Sequence, residues 1–389
     1  MNGSRPPGRA FEAVLGQLNR PGSRSLIPTP ALICDLDLLE QNITRMARVS
    51  RAAGLALRPH VKSHKSAFVA RRQLEAGAVG LACAKLAEAE VIVDRLIAGG
   101  YETSVSVLLT SPLVGEASAR RAWTLGESSD LTVVVDHVDA VDELATFRVG
   151  ESPLSVLCDV DVGLGRTGVV GADQALRVCE RIGQVPFLHF GGVQGYGGHL
   201  QHIAGREQRR SATRESTRLL ADVVEALESN GFGVPLRSGG GTGTAEIDIE
   251  LGVLNELQPG SYVFMDREYR DVLGGDPEGR FAQSLTIVTT VISANQSDFV
   301  TVDAGLKSMA TDAGSPLVVG YEGESTFAFF GDEQGLVTNS AQYAFCRGDR
   351  LDLVPPHCDP TVDRYDFMWL VRGDVVLGVA DVDARGCSQ

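Results

Sequence analysis

Short, continuously apolar runs alternate with amphipathic stretches from about residue 30 to about residue 240. The apolar runs predict strands at 31–36, 55–59, 79–84, 104–109, 131–135, 154–160 and 187–193. The stretches between them have helical spacing of apolar residues, among them 38–53, 85–97, 172–182 and 206–229. Runs that are apolar throughout are typical of parallel strands covered on both faces. Seven such runs favour an α/β fold with a (β/α)8 TIM-like barrel over an open doubly wound sheet.

The pattern changes after about residue 275. Residues in 284–291, 299–303, 325–330 and 365–376 predict strands, and no long amphipathic helix follows them. This part of the chain is therefore expected to form a second, β-rich domain. The first residues are rich in Gly, Pro, Arg and Ser. We expect an N-terminal segment at 1–28 that joins the β domain, a barrel at 29–272 and the β-rich domain at 273–389.

Composition limits the partners and the compartment. Among 389 residues, Lys plus Arg number 35 and Asp plus Glu number 50, so the net charge is −15. A chain this acidic is a poor binder of nucleic acid or anionic membranes, and it has no run of about 18 apolar residues that could span a bilayer. The first eight residues lack the apolar stretch of a signal peptide. Seven cysteines without a CxxC motif predict reduced core thiols in a cytoplasmic protein.

The densest basic cluster lies at 57–65, after a predicted strand. If the strand continues through it, His60, Lys62 and His64 share one face, because side chains in a strand alternate with period two. At the carboxyl end of a barrel strand that face points into the mouth, where active sites lie. A lysine held among cations has a lowered pKa and can form a Schiff base with a carbonyl. A solvated basic loop is the alternative.

Three further segments follow predicted strands or, for the first of them, a short apolar stretch. The glycine-rich run 238–244 can direct backbone N–H groups at a phosphate, and it lacks the lysine of a P-loop, which favours a monophosphate over ATP. A flexible turn is the alternative. Glycines at 163–168 surround Arg166 and suggest a loop that directs the guanidinium inward, although a surface arginine is the commoner outcome. Tyr196 could stack on a planar ligand, whereas the nearby pair His199 and His202 lacks a third metal ligand.

A last motif, at 354–361, lies in the predicted β domain. In an extended segment, His357 and Asp359 project to the same side and Cys358 to the other. One imidazole and one carboxylate, completed by water and a substrate oxygen, make an open site suited to Mn²⁺, Mg²⁺ or Zn²⁺. A proline-rich turn with an ordinary histidine is the alternative.

Together these segments resemble a known group of pyridoxal-phosphate (PLP) enzymes of fold type III, whose barrel is like that of alanine racemase. The group comprises D-threonine aldolase, 3-hydroxy-D-aspartate aldolase and D-serine dehydratase. The resemblance covers about residues 28–386, and its ordered matches lie at 29–32, 58–65, 163–169, 238–243, 255–262, 302–307 and 357–359.

The resemblance implies roles for the barrel residues. Lys62 would hold PLP as a Schiff base, and Tyr196 would lie beside the cofactor. The loop residues Gly241, Thr242 and Gly243 would bind its phosphate with Tyr262. Arg166 would face the pyridine nitrogen. Because a guanidinium cannot accept a proton, that nitrogen would stay unprotonated and the cofactor would be a weaker electron sink.

The resemblance also implies a divalent metal at His357 and Asp359 that binds the β-hydroxyl of the substrate and lowers its pKa. Deprotonating this hydroxyl cleaves the Cα–Cβ bond, whereas expelling it gives dehydration. In the family, His-x-Asp accompanies the aldolases and His-x-Cys the dehydratases. The spacing here therefore favours an aldolase with Mn²⁺ or Mg²⁺, and Zn²⁺ is the alternative.

Four positions depart from the characterised aldolases. Ala84 replaces a common glutamine, Gln334 and Tyr365 replace histidines, and His199 stands where small or apolar residues are usual. We expect these positions to line the mouth of the barrel and to influence the choice of substrate.

The predicted function is a PLP- and metal-dependent lyase that acts on a small amino-acid substrate. It would cleave D-β-hydroxy-α-amino acids of the D-threonine or 3-hydroxy-D-aspartate type to glycine and an aldehyde, or run in the synthetic direction. A homodimer in the cytoplasm is expected, without a nucleic-acid or membrane partner. The alternatives on the same scaffold are a D-serine or D-hydroxyaspartate dehydratase and a racemase. A non-catalytic PLP-binding protein is disfavoured, because single-barrel relatives of that kind lack the β domain.

Overall fold

A computed structural model describes residues 8–101, 104–274, 281–339 and 343–389. The chain divides into two compact units. The first, here called the β unit, comprises Met1–Ile43 and Ser261–Arg385. The second, the barrel unit, comprises Thr44–Gly260 and Gly386–Gln389. Within the described ranges, no helix is both long enough and apolar enough to cross a bilayer.

Helices and strands alternate through the first two thirds of the chain, and strands dominate the remainder. The helices are α1 (Arg9–Leu15), α2 (Leu36–Ala52), α3 (Ala67–Glu75), α4 (Leu86–Ala98), α5 (Glu116–Gly126), α6 (Val138–Thr146), α7 (Ala172–Gly183), α8 (Arg206–Ser229), α9 (Ala245–Leu251), α10 (Arg267–Leu273) and α11 (Cys358–Val362). The strands are β1 (Ala31–Asp35), β2 (Ala56–Leu57), β3 (Leu81–Cys83), β4 (Ser106–Leu109), β5 (Asp130–Val135), β6 (Leu154–Asp159), β7 (Leu188–Gly195), β8 (Leu236–Gly239), β9 (Glu256–Leu257), β10 (Leu285–Ser293), β11 (Phe299–Val302), β12 (Leu317–Val318), β13 (Phe327–Phe329), β14 (Gly335–Thr338), β15 (Arg350–Val354), β16 (Phe367–Arg372) and β17 (Val375–Asp381). In the described residues, 3₁₀ helices span Ser23–Leu26, Val61–Ser63, Gly198–Leu200 and Ser261–Val263.

The barrel unit contains eight parallel strands in the order β2-β9-β8-β7-β6-β5-β4-β3. A parallel bridge between His60 and Ala82 joins the two ends of this sheet, so the barrel closes. Successive residues of β5 are buried whichever face they point to, since Val133, Val134 and Val135 are each at most 1% exposed. The predicted (β/α)8 barrel is confirmed.

Two barrel strands were not anticipated from the hydrophobic pattern. β8 and β9 are short and carry Arg237, Ser238 and Glu256, so they do not stand out as apolar runs. The expectation that the run 31–36 forms the first strand of the barrel is wrong. This run forms β1, which pairs with β10 and β16 in the β unit. An apolar run predicts a buried strand but does not specify its sheet.

The β unit is built on a nine-stranded sheet with the path β13-β14-β11-β10-β1-β16-β17, and β15 pairs with β10 and β12. Its apolar core includes Ile33, Val288 and Trp369, against which Phe11 packs. The four predicted strand regions are confirmed, and the last of them divides into β16 and β17. The N-terminal part of the chain is bonded to β17, because Asn19 donates its N–H to the Val376 carbonyl at 2.9 Å.

Candidate active site

Lys62 lies in the 3₁₀ helix Val61–Ser63, which is the first helix after β2. His60 precedes this helix, and its Nδ1 accepts the backbone N–H of Lys62 at 3.3 Å. The expectation that a strand continues through the basic cluster is therefore wrong. The chain turns into a 3₁₀ helix instead, because the His60 side chain provides an acceptor for a terminal N–H of the turn.

The third member of the cluster, His64, has a structural role in this unit. It is fully buried, its Nε2 lies 3.2 Å from Gln73 Oε1, and its Nδ1 accepts the backbone N–H of Ser66 at 3.1 Å. His60 instead lies beside Lys62, with its Nε2 3.3 Å from Thr110 Oγ1. The basic cluster thus divides into a lysine at the barrel mouth and a histidine that stabilises the start of α3.

Three residues predicted to surround a planar ligand come together in the barrel unit. Tyr196 directly follows β7, and its ring lies 5.9 Å from Lys62 Nζ, measured to the ring centroid. The guanidinium carbon of Arg166 lies 5.7 Å from the same centroid. An amine and a guanidinium are therefore both near one aromatic ring, as cation–π contacts allow.

The loop that carries Arg166 is held by carboxylates. Asp161 Oδ1 accepts the backbone N–H groups of Gly163 and Gly165, each at 3.0 Å. Gly168 has φ +105°, and a Cβ there would overlap with the backbone nitrogen of Asp161. Only glycine fits this closure of the loop, because other residues disfavour that φ and need space for a Cβ. The arginine is thus carried by a rigid loop.

The recess that contains Arg166 and Tyr196 has a polar lining that sequence reasoning did not single out. Thr110, Asp159 and Gln194 contribute to it. Asp159 is buried, accepting Gln194 Nε2 at 2.9 Å and Thr167 Oγ1 at 2.8 Å. Burial raises the pKa of the Asp159 carboxyl to about 6. A polar residue at the end of an apolar strand was the available signal for both Asp159 and Gln194.

A chain of buried polar side chains continues from Gln194 across the barrel. Gln258 Nε2 donates to Gln194 Oε1 at 3.2 Å and to Ser238 Oγ at 2.8 Å. Ser238 Oγ donates to Glu256 Oε1 at 2.6 Å, and Arg58 Nε donates to Glu256 Oε2 at 2.9 Å. Each buried polar group in this chain has a partner, so the network fixes side-chain positions.

The glycine-rich run begins within β8, at Ser238, and continues as the loop after this strand. The Gly241 N–H donates to Thr244 Oγ1 at 3.3 Å, and the Gly243 N–H donates to Gln201 Oε1 at 2.9 Å. Thr242, between the two glycines, is 5% exposed. Below the loop, Thr244 Oγ1 donates to Asp248 Oδ2 at 2.7 Å. Burial raises the pKa of the Asp248 carboxyl to about 7.

The other predicted residues lie in the β unit. Tyr262 belongs to the 3₁₀ helix Ser261–Val263 and is fully buried, with its ring centroid 5.5 Å from that of Phe281. His357 immediately precedes α11, so the expectation of an extended segment at 357–359 is wrong. The backbone turns helical at Cys358 because Asp266 Oδ2 accepts its N–H at 2.8 Å.

The imidazole of His357 is held by a carboxylate. Its Nδ1 lies 2.7 Å from Asp312 Oδ2, which directs the other ring nitrogen, Nε2, away from Asp312. Burial lowers the pKa of His357, but the charges of Asp359 and Asp312 raise it above its ordinary value overall. Asp359 Oδ1 accepts Ser261 Oγ at 3.2 Å. In the residues that the structure describes, no three or more His, Cys, Asp and Glu side chains converge on one point.

Cys358 lies between the two predicted metal ligands. Its Sγ is 3.2 Å from Asp359 Oδ1, and the residue is fully buried. Burial, reinforced by the charges of Asp266 and Asp359, raises the pKa of this thiol well above its ordinary value. The side chain is therefore a protonated thiol that donates toward Asp359.

The four departures occupy different environments. In the barrel unit, the Ala84 N–H donates to Glu88 Oε2 at 2.7 Å, and burial raises the pKa of that carboxyl to about 6. His199 is exposed. In the β unit, Gln334 is exposed, and the half-buried Tyr365 donates its hydroxyl to the Ser308 carbonyl at 2.7 Å.

Comparison with known proteins places this arrangement in a family. The profile of the alanine racemase N-terminal domain matches residues 34–268, and that of a serine dehydratase domain matches residues 284–371. D-threonine aldolase from Arthrobacter sp is 35% identical over 93% of this chain and 94% of its own length. The chain belongs to the D-threonine aldolase-like family. This confirms the resemblance to that group of PLP enzymes.

Two further relatives agree with this family. 3-Hydroxy-D-aspartate aldolase from Paracoccus denitrificans (strain Pd 1222) is 35% identical over 93% of both chains. The crystal structure of D-threonine aldolase from Filomicrobium marinum is 32% identical and superposes with a TM-score of 0.87 over 94% of this chain and 98% of that one. Both the barrel and the β-rich part of the chain are therefore shared with aldolases of D-configured amino acids.

Proposed function

We propose that this protein is a PLP- and divalent-metal-dependent lyase that cleaves D-β-hydroxy-α-amino acids to glycine and an aldehyde. D-threonine and 3-hydroxy-D-aspartate are the proposed substrate types, and the same reaction could run in the synthetic direction. The observation that carries the proposal is the arrangement of Lys62 and Arg166 around the Tyr196 ring in the barrel unit.

The barrel residues fit this cofactor. The Lys62 amine would form the covalent link to the aldehyde carbon, and Tyr196 would lie against the ring. Arg166 would face the pyridine nitrogen, which it can only donate to, so that nitrogen would carry no proton. When bound, PLP supplies the electron sink that accepts the electron pair released at Cα. The carboxylates that hold the Arg166 loop would keep the guanidinium in place during the reaction.

The phosphate would bind at the glycine-rich loop of the barrel unit through Gly241, Thr242 and Gly243. For Tyr262, in the β unit, a contact to the phosphate is proposed from the family resemblance alone. The loop suits an anion because glycines leave its backbone open. The Gly241 N–H has only a long contact, at 3.3 Å, so a phosphate oxygen could share this donor.

His357 and Asp359 would hold the divalent metal. Because Asp312 binds Nδ1 of His357, Nε2 would be the ligating nitrogen, and a carboxylate on the opposite nitrogen is typical of metal-binding histidines. A bound ion would supply the Lewis acid that lowers the pKa of the substrate β-hydroxyl. A protonated Cys358 is a weak ligand, and an imidazole with a carboxylate suits Mn²⁺ or Mg²⁺, with Zn²⁺ as the alternative.

The second candidate is a dehydratase, because the profile of a serine dehydratase domain matches residues 284–371. The aldolase is preferred because the His357–Asp359 spacing places a carboxylate, and not the Cys358 thiol, second in the motif. A racemase and a non-catalytic PLP-binding protein remain as further outcomes of the test below. A homodimer is proposed from the family resemblance. A cytoplasmic location is proposed from the burial of Cys34, Cys83, Cys158, Cys179 and Cys358.

The test is product analysis. The protein, loaded with PLP and Mn²⁺, is incubated with D-threonine, D-3-hydroxyaspartate and D-serine, and glycine, aldehyde, 2-oxo acid and L-isomer are quantified. The proposal predicts glycine in equal amount to the aldehyde, dependent on the metal. Oxo acid without glycine identifies a dehydratase, and L-isomer alone identifies a racemase. Bound cofactor without turnover, with or without Mn²⁺, identifies a binding protein.

A further inference from the structure

Gln201 lies at the end of the 3₁₀ helix Gly198–Leu200 and is 2% exposed. None of the proposed cofactor contacts involves this side chain. We propose that Gln201 is a positioning residue that holds the glycine-rich loop in the shape that receives the cofactor phosphate. This inference rests on the proposed function, and it concerns residues of the barrel unit alone.

The amide of Gln201 joins two loops at the barrel mouth. Its Oε1 accepts the Gly243 N–H at 2.9 Å. Its Nε2 donates to the Gly197 carbonyl at 3.2 Å and to Thr244 Oγ1 at 3.1 Å. One buried side chain therefore connects the loop after β7 to the loop after β8. A buried amide with donor and acceptor both satisfied fixes the loops in one arrangement.

The glycines of the loop are shaped around this side chain. A Cβ on Gly241 would lie 2.5 Å from Gln201 Oε1, and a Cβ on Gly243 would overlap with the Gln201 carbonyl oxygen. Neither glycine has a positive φ, whereas their neighbour Gly240 does, at +73°. Backbone conformation therefore does not require glycine at 241 and 243. The close approach of Gln201 is what requires glycine at both positions.

The contacts continue below the loop. Thr244 Oγ1 accepts the Gly241 N–H and donates to the buried Asp248. The Gly241 N–H thus points to Thr244, and the Gly243 N–H points to Gln201. Besides the phosphate contacts proposed for the 241–243 segment, its two glycines therefore serve to admit Gln201.

The test compares two ligands that differ only in the phosphate. Apo-protein is titrated with PLP and with pyridoxal, which lacks the phosphate, and both dissociation constants are measured by absorbance. For Gln201→Ala the affinity for PLP is expected to fall at least about tenfold, because a displaced loop loses a charge-assisted hydrogen bond to the phosphate. The affinity for pyridoxal is expected to be unchanged, because the aldehyde site at Lys62 is untouched.

A second variant and a control make the test decisive. Gly243→Ala is expected to show the same selective loss of PLP affinity, because its Cβ would displace Gln201. If Gln201→Ala does not fold, the result for Gly243→Ala tests the inference in its place. Val178→Ala, which truncates a core residue of α7 that is 2% exposed, should lower the melting temperature and leave the ratio of the two affinities unchanged.

The outcomes separate this inference from the proposed function. A selective loss for PLP in Gln201→Ala and Gly243→Ala supports the inference. An unchanged ratio, or equal losses for both ligands, overturns it and leaves the proposed function standing. A wild-type protein that binds neither PLP nor pyridoxal overturns the proposed function, and the inference with it.

Discussion

The two units of this protein offer opposite charges to their proposed ligands. In the barrel unit, Lys62 and Arg166 present cations around the Tyr196 ring. In the β unit, the His357 imidazole lies among carboxylates, with Asp312 bonded to it and Asp359 raising its pKa. The first set suits an anionic, aromatic cofactor and the second a divalent cation. The difference suggests that each unit contributes a separate part of the chemistry.

The units also differ in how they hold these groups. In the barrel unit, glycine-rich loops at strand ends are fixed by side-chain acceptors such as Asp161 and Gln201. In the β unit, the motif sits where a helix begins, and Asp266 fixes it by accepting backbone N–H groups from Tyr269 and Cys358. Substitutions can therefore disturb one set and leave the other intact.

The largest expected effect is a loss of metal-dependent turnover while the cofactor stays bound. Asp359→Ala should reduce metal-dependent turnover by at least about 1000-fold, because a metal-activated hydroxyl supplies several kcal/mol of transition-state stabilisation. The visible absorbance of the bound cofactor should stay unchanged. Asp366→Ala is the matched control, because it removes an exposed carboxylate paired with Arg385 in the same unit. Full metal-dependent turnover in Asp359→Ala would show that Asp359 is not a ligand of the metal.

The next effect tests the rigidity of the Arg166 loop. Gly168→Ala should lower the free energy of unfolding by about 2–4 kcal/mol, because the new Cβ meets backbone and the φ is unfavourable. Gly165→Ala, with φ +68° and no atom near its Cβ, should cost only about 1 kcal/mol. Urea denaturation measures both values. Equal losses would mean that the loop tolerates a shift at Gly168.

A smaller effect concerns the carboxylate behind His357. Asp312→Asn should weaken Mn²⁺ binding by about 10–100-fold, because the carboxylate orients the imidazole and increases its basicity. Calorimetric titration with Mn²⁺ measures this affinity. Asp332→Asn, an exposed carboxylate near Lys307, serves as the control. An unchanged affinity in Asp312→Asn would show that Asp312 does not support a metal ligand.

The last effect, small for each single pH unit, is a pH dependence of stability in the barrel unit. Burial raises the Asp248 pKa from 3.8 to about 7, so the folded protein keeps a proton that the unfolded chain releases. Stability from this group therefore falls as pH rises from about 4 to about 7. In Asp248→Asn the side chain is a neutral amide that does not titrate. The stability of this variant relative to wild type should rise by about 1 kcal/mol per pH unit in that window.

Urea denaturation at several pH values measures this difference. Asp94→Asn, at an exposed position of α4, controls for the loss of a charge. A stability difference for Asp248→Asn that does not change between pH 4 and pH 7 would contradict the assignment of a buried, protonated carboxyl.

Periodicity predicted the barrel because its central strands are apolar on both faces. It missed β8 and β9, because Ser238 and Glu256 face a buried polar network there. It also placed 31–36 in the wrong sheet, because strand pairing depends on contacts between residues distant in sequence, such as Ile33 with Trp369.

Residue type alone singled out Lys62, Arg166 and His357 as candidates, because it limits the chemistry that each side chain can perform. Sequence reasoning missed the residues that support them. Asp159, Gln201 and Asp312 gain their roles from hydrogen bonds to partners that the fold brings close. A buried glutamine beside a glycine-rich loop is not distinctive in a sequence. Only the three-dimensional contacts give it a role.

The measurement that tests the central claim most directly is covalent trapping of the cofactor. The protein is incubated with PLP, reduced with borohydride and digested, and the labelled peptide is sequenced by mass spectrometry. The account predicts a pyridoxyl group on Lys62, and no visible cofactor band in Lys62→Ala. A label on Lys65, or no labelled peptide at all, would contradict it.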